Sequence, residues 1–92
     1  MSERMENIGQ RESLRHIRKR LEAEAVSHRD SLRAALPIVG DVAAIDGEYV
    51  LSLAIALNEK TTELHGVNQK LAILDRELGN EGAVWAGNMK RQ

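Results

Sequence analysis

Between Val50 and Leu78 the sequence keeps one apolar register almost unbroken. Val50, Leu53, Leu57, Leu64, Val67, Leu71, Leu74 and Leu78 step by threes and fours, and only Lys60 interrupts them. A period of about 3.5 residues held over roughly four heptads keeps one stripe of a helix facing a partner helix. A chain built this way is committed to helix-on-helix packing. At 92 residues it forms one domain at most, near the size where a single core is marginal. It has no Phe, one Tyr and one Trp, so that core must be Leu, Ile, Val and Ala. Such side chains suit closely packed helices.

The partner stripe lies upstream. From about Gln10, the residues Leu14, Ile17, Leu21, Ala25, His28, Leu32 and Leu36 recur with a period near 3.6, among strong helix formers. Pro37 ends this helix, because its ring clashes with a preceding helical turn and disfavours helix at Leu36. A short turn follows, and Asp41 or Asp46 is placed to cap the next helix. Gly79-Asn80 then supplies a stop signal. The expected organisation is a flexible N-terminus over 1–9, a helical hairpin over 10–79 and an irregular tail over 80–92. Within it, helix one lies near 10–36 and helix two near 42–79. The fold class is all-α: an antiparallel, coiled-coil-like hairpin of two helices. The competing reading is an α-β-β-α domain with a β-hairpin over 38–57. Tyr49, Leu51, Leu53, Ile55 and Leu57 alternate at period two, and Asp46-Gly47 suits a hairpin turn. Ala43, Ala44, Ala54 and Ala56 are poor strand residues, and the heptad phase runs through them without a slip. Helix is favoured.

Between Tyr49 and Leu57 helix two is apolar on nearly every side. Val50, Leu53 and Leu57 face the seam, whereas Leu51 and Ile55 face away from it. Burying one such side chain is worth about 1.5–3 kcal/mol, so leaving both open is costly. The cheapest cover is a second copy of the chain, so the hairpin is expected to dimerise into an antiparallel four-helix bundle. A different protein is the other cover. The bland alternative is that the turn segment Ile38 to Ile45 folds over them. Lys60, on the seam, falls opposite Leu21 to Glu24 in such a hairpin. A contact with Glu22 or Glu24 is expected, and it would fix register. Gly66 in mid-helix implies a close approach or a slight bend.

Catalytic chemistry finds little support. There is no cysteine, and His16, His28 and His65 are scattered without metal-ligand spacing. Ser27-His28-x-Asp30 cannot assemble a triad, because neighbouring residues of a helix point about 100° apart. No phosphate-binding glycine loop is present. The expectation is no enzyme, no cofactor, no metal and no small-molecule substrate. Arg11, Arg15 and Arg18, flanked by Lys19, form a candidate face for phosphates or nucleic acid. Interleaved Glu12, Glu22 and Glu24 and the lack of stacking aromatics speak against it.

The net charge of -1 gives no global pull toward nucleic acid or an anionic membrane. Its distribution is uneven, +2 over 1–40 from eight Lys/Arg and six Asp/Glu, and -3 over 41–92 from five and eight. That asymmetry favours pairing of the two helices. The most apolar stretch, Ile38 to Leu57, contains Asp41, Asp46 and Glu48 and is no membrane span. With no secretory h-region after Met1, the expected setting is the cytoplasm. The excess of Arg over Lys hints at a bacterial or phage genome. The expected function is that of a small non-catalytic protein working through helix-helix contacts with itself or another protein. An adaptor, a chaperone, an anti-activator or a phage-type inhibitor of a host complex would fit. The expected interface residues are Tyr49, Leu51, Ile55 and Trp85, with Trp85 acting as a fold-back or partner anchor.

Overall fold

The computed structural model describes the backbone of residues 3–90 and the side chains of residues 3–79. It is an all-helical hairpin: α1 spans Glu3–Ala35, a single 3-10 turn covers Val42–Ala44, and α2 spans Gly47–Lys90. No strand occurs among the described residues, so the β-hairpin reading over 38–57 is not what forms. Of the alternating residues Tyr49 to Leu57 only Leu53 and Leu57 belong to the seam, and all of them lie within α2.

The turn explains where α2 begins. The last bond of α1 runs from the Leu36 N–H to the Arg33 carbonyl at 3.3 Å, and Pro37 then prevents continuation. Gly40 takes a φ of 121°, a conformation L side chains rarely adopt. Both aspartates then act as caps. Asp41 Oδ1 accepts from the Ala43 N–H at 2.9 Å, closing the 3-10 turn. Asp46 Oδ1 accepts from the Tyr49 N–H at 3.1 Å, and its carbonyl accepts from the Val50 N–H at 3.0 Å. Helix two therefore starts at Gly47 rather than near 42, because residues 42–44 are spent on the capped turn.

The helix ends also depart from the expected bounds. α1 begins at Glu3 rather than near Gln10, with Glu3 and Glu6 in its first turn, where acidic side chains favour the helix dipole. Residues 3–9 are thus helical rather than loose. α2 passes through Gly79, which has no positive φ, and runs on to Lys90 rather than giving way to an irregular segment at residue 80. A C-terminal glycine stop needs the left-handed conformation, and Gly79 does not adopt it.

The chain divides into two compact units. One comprises residues up to Arg18 and from Gly66 onward. There Leu71, Leu74 and Leu78 are buried, and Asn7, Ile8, Arg11, Leu14, Arg15 and Val67 are half-buried. Asn7 Nδ2 donates to Glu77 Oε2 at 3.4 Å, and Arg11 Nη1 lies 3.5 Å from Asp75 Oδ1. The other unit is Lys19–His65, with Leu21 at 1% exposure as its one buried side chain. Elsewhere in this unit Ala25, His28, Leu32, Val50, Leu53, Leu57, Lys60 and Leu64 are half-buried. Every position of the predicted α2 seam is buried or half-buried. In α1 the residues Asn7, Arg11, Leu14, Arg18, Leu21, Ala25, His28, Leu32 and Ala35 form the inner stripe, with Ile17 half-buried beside it as expected, while Leu36 is exposed.

Lys60 Nζ stands 3.6 Å from Glu24 Oε1, so the expected ion pair forms with Glu24. At Gly66 the close approach is absent, because a Cβ built there meets nothing within 4 Å. No close approach requires this glycine. Gly66→Ala is therefore expected to stabilise the chain by about 0.5–1 kcal/mol through helix propensity. Urea denaturation checks this, and a lower midpoint would reveal a need for glycine at that position.

Candidate protein-binding surface

The face singled out in the sequence is open. Tyr49 is 50% exposed, Leu51 60% and Ile55 51%, all in the first turns of the Asp46-capped helix. The segment Ile38 to Ile45 does not fold over them. Instead it adds to the exposed apolar surface, because Ile38, Val39 and Val42 stand almost wholly in solvent and Leu36 is exposed beside them. Those tip residues were missed by an argument that followed helical periodicity. A plainer signal marks them: from Ala34 to Gly40 no residue carries a charge.

A shallow groove of about 300 Å³ runs alongside, lined by Ala25, Val26, Arg29, Leu57 and Thr61. Val26 is exposed at its edge, and Leu57 forms its floor from the seam side. Arg29 is held by Asp30, with Nη2 to Oδ1 at 3.0 Å and Nε donating to the same oxygen at 3.1 Å. The surface offers shape and apolar area. It offers little polar chemistry.

The basic residues are arranged otherwise. Arg11 and Arg15 converge on Asp75, at 3.5 and 3.9 Å, and Arg15 also pairs with Glu12 at 3.0 Å. Arg11, Arg15 and Arg18 are half-buried, with aliphatic stems along the packed stripe, and Lys19 is exposed. Arg11 and Arg15 thus already face carboxylates that would compete with a phosphate. Trp85 lies outside the residues whose side chains are described.

Among the described residues no group of three His, Cys, Asp or Glu is placed to hold a metal ion. None of the described helices is long and apolar enough to cross a membrane. Comparison of the chain with protein-family models, with curated proteins and with solved structures finds no match.

Proposed function

We propose that this chain is a small non-catalytic protein that binds protein through its helix faces, self-associating into a four-helix bundle. An adaptor, a chaperone, an anti-activator or a phage-type inhibitor of a host complex would use such a surface, and its setting would be the cytoplasm. One observation carries the reading. In the unit Lys19–His65 only Leu21 is buried, whereas Tyr49, Leu51 and Ile55 stand half or more exposed beside an apolar turn. Exposed apolar side chains gathered in one region of a small protein commonly mark an interaction site.

The test is the double variant Leu51→Glu with Ile55→Glu, followed by solution mass and by capture of any partner that co-purifies with the native chain. Both side chains are exposed, so helix content is expected to stay unchanged while assembly is lost. Assembly that survives both charges would sink the proposal.

A further inference from the structure

Within residues 3–90 the sole stretch outside an α-helix is 36–46, and it is the most open part of the chain. Leu36 to Ala44 form a run of nine exposed residues, whereas no other run of residues with described side chains exceeds four. Ile38, Val39 and Val42 stand 101%, 82% and 80% exposed. The backbone is as open as the side chains. Among the described residues no N–H from Ile38 to Val42 donates a hydrogen bond, because the turn is closed by the N–H groups of Leu36, Ala43, Ala44 and Ile45.

An endoprotease takes its substrate as an extended strand, paired through backbone hydrogen bonds and read at the side chains. To offer such a strand, α1 or α2 would have to break its own ladder over two turns or more. Pro37 to Gly40 have no such bonds to give up. Exposed tips are the preferred sites of nicking for this reason. The side chains on offer set the class of enzyme. No residue from Ala34 to Gly40 carries a charge, so an enzyme that reads a charged side chain finds no handle there. Branched aliphatic residues are what the tip presents.

We propose that the Val39–Gly40 bond is a processing site for an endoprotease that reads a small aliphatic residue before the cut, and that the cut chain stays assembled. Neither Leu51 nor Ile55 takes part in it. Water adds across the amide, its hydroxyl going to the Val39 carbonyl carbon and its proton to the Gly40 nitrogen. The new acid then passes its proton to the new amine, so a carboxylate and an ammonium replace one uncharged amide. Two charges thereby enter a tip that had none between Ala34 and Gly40. Gly40 suits the position after the cut. Lacking a Cβ, it passes from its φ of 121° to extended backbone without a steric penalty.

Both helices survive the cut whole. Each compact unit draws residues from both of them, so each holds α1 to α2 by itself. In one unit Leu71, Leu74 and Leu78 are buried and Arg11 meets Asp75; in the other Leu21 is buried and Lys60 meets Glu24. What the cut removes is the covalent tie, which held the helices at an effective concentration on the order of millimolar.

Limited digestion of the full chain with elastase, read by intact mass, tests both halves. The first cut within residues 3–79 is expected at Val39–Gly40. The two pieces should run together on size exclusion in native buffer and apart in denaturant. The cut chain should melt below the intact one, at a temperature that rises with concentration, as a two-chain complex requires. Val39→Glu is expected to slow cleavage of this bond about tenfold or more at unchanged helix content. A first cut elsewhere within residues 3–79, or a rate indifferent to Val39→Glu, would overturn the site. Pieces that separate in native buffer would overturn the assembled product.

Discussion

Leu21→Ala is expected to destabilise the chain by about 2–4 kcal/mol, the range typical of leucine truncation in packed interiors. Leu21 is 1% exposed and is the one buried side chain of the unit Lys19–His65. The half-buried seam residues of the same unit, Leu64 among them, belong to helices that cannot collapse into the space without losing their register. The cavity therefore stays, and the loss includes both transfer and packing terms. For a domain of this size each kcal/mol moves the melting temperature by about 4–8 °C, so a fall of about 10–25 °C is expected. Ile73→Ala is the control, because Ile73 is 50% exposed and its truncation should cost under about 0.5 kcal/mol. Thermal melting of the two variants side by side checks the contrast. Equal melting temperatures would mean that the packing around Leu21 contributes nothing specific.

That one leucine carries so much follows from how the seam is written in the sequence. The α2 stripe from Val50 to Leu78 was legible because nearly all of it is apolar, and the periodicity could be followed past Lys60. The α1 stripe was only half legible. Its inner face includes Asn7, Arg11 and Arg18, which look like surface residues in sequence. The structure lays their side chains along the seam, with Arg11 and Arg15 meeting Asp75 and Asn7 meeting Glu77. Apolar periodicity cannot register an arginine whose methylenes pack while its guanidinium finds a carboxylate. The same blindness placed the start of α1 near Gln10, because the turns before it pack through Asn7 and Ile8 rather than through a run of leucines. Gly9 and Gly79 misled in the same sense. A glycine weakens a helix by about 1 kcal/mol, a cost that neighbouring turns can carry.

The candidate surface was legible in one part and hidden in another. Leu51 and Ile55 stood out because a helix with one neighbour cannot bury two opposite sides. Ile38, Val39 and Val42 were not singled out, because the turn entered the sequence reading only as the alternative cover for Leu51 and Ile55. Asp41 and Asp46 prevent that. Each spends its carboxylate on a local cap, at 2.9 and 3.1 Å, and so fixes the backbone in a compact stop-and-start. Of the apolar side chains between them, Val42 is left exposed while Ile45 is half-buried. Caps are readable in sequence. Their consequence for the residues between them requires the backbone path.

Lys60→Leu is expected to raise stability by about 1–2 kcal/mol, moving the melting temperature upward by about 5–15 °C. The substitution fills the one non-apolar position of the seam with a side chain that belongs there. Against this gain stands the ion pair between Lys60 Nζ and Glu24 Oε1 at 3.6 Å. The lysine side chain is 24% exposed and the glutamate 41%, so solvent screens the pair and its worth is about 0–1 kcal/mol. Glu24 Oε1 is itself buried without a hydrogen bond, but Arg20 Nε lies 3.7 Å away and remains after the substitution. The leucine should therefore win on stability. A fall in melting temperature would mean the opposite, that the Lys60–Glu24 contact outweighs a buried leucine. What the lysine supplies is register. A charge in the seam is tolerated where Glu24 meets it and penalised in any alignment that slides it against Leu21 or Ala25. The Lys60→Leu chain should accordingly melt higher while populating more than one assembly state, seen as a broadened mass distribution in light scattering. A sharper melt with a single mass would show that the apolar residues alone set the alignment of α1 and α2.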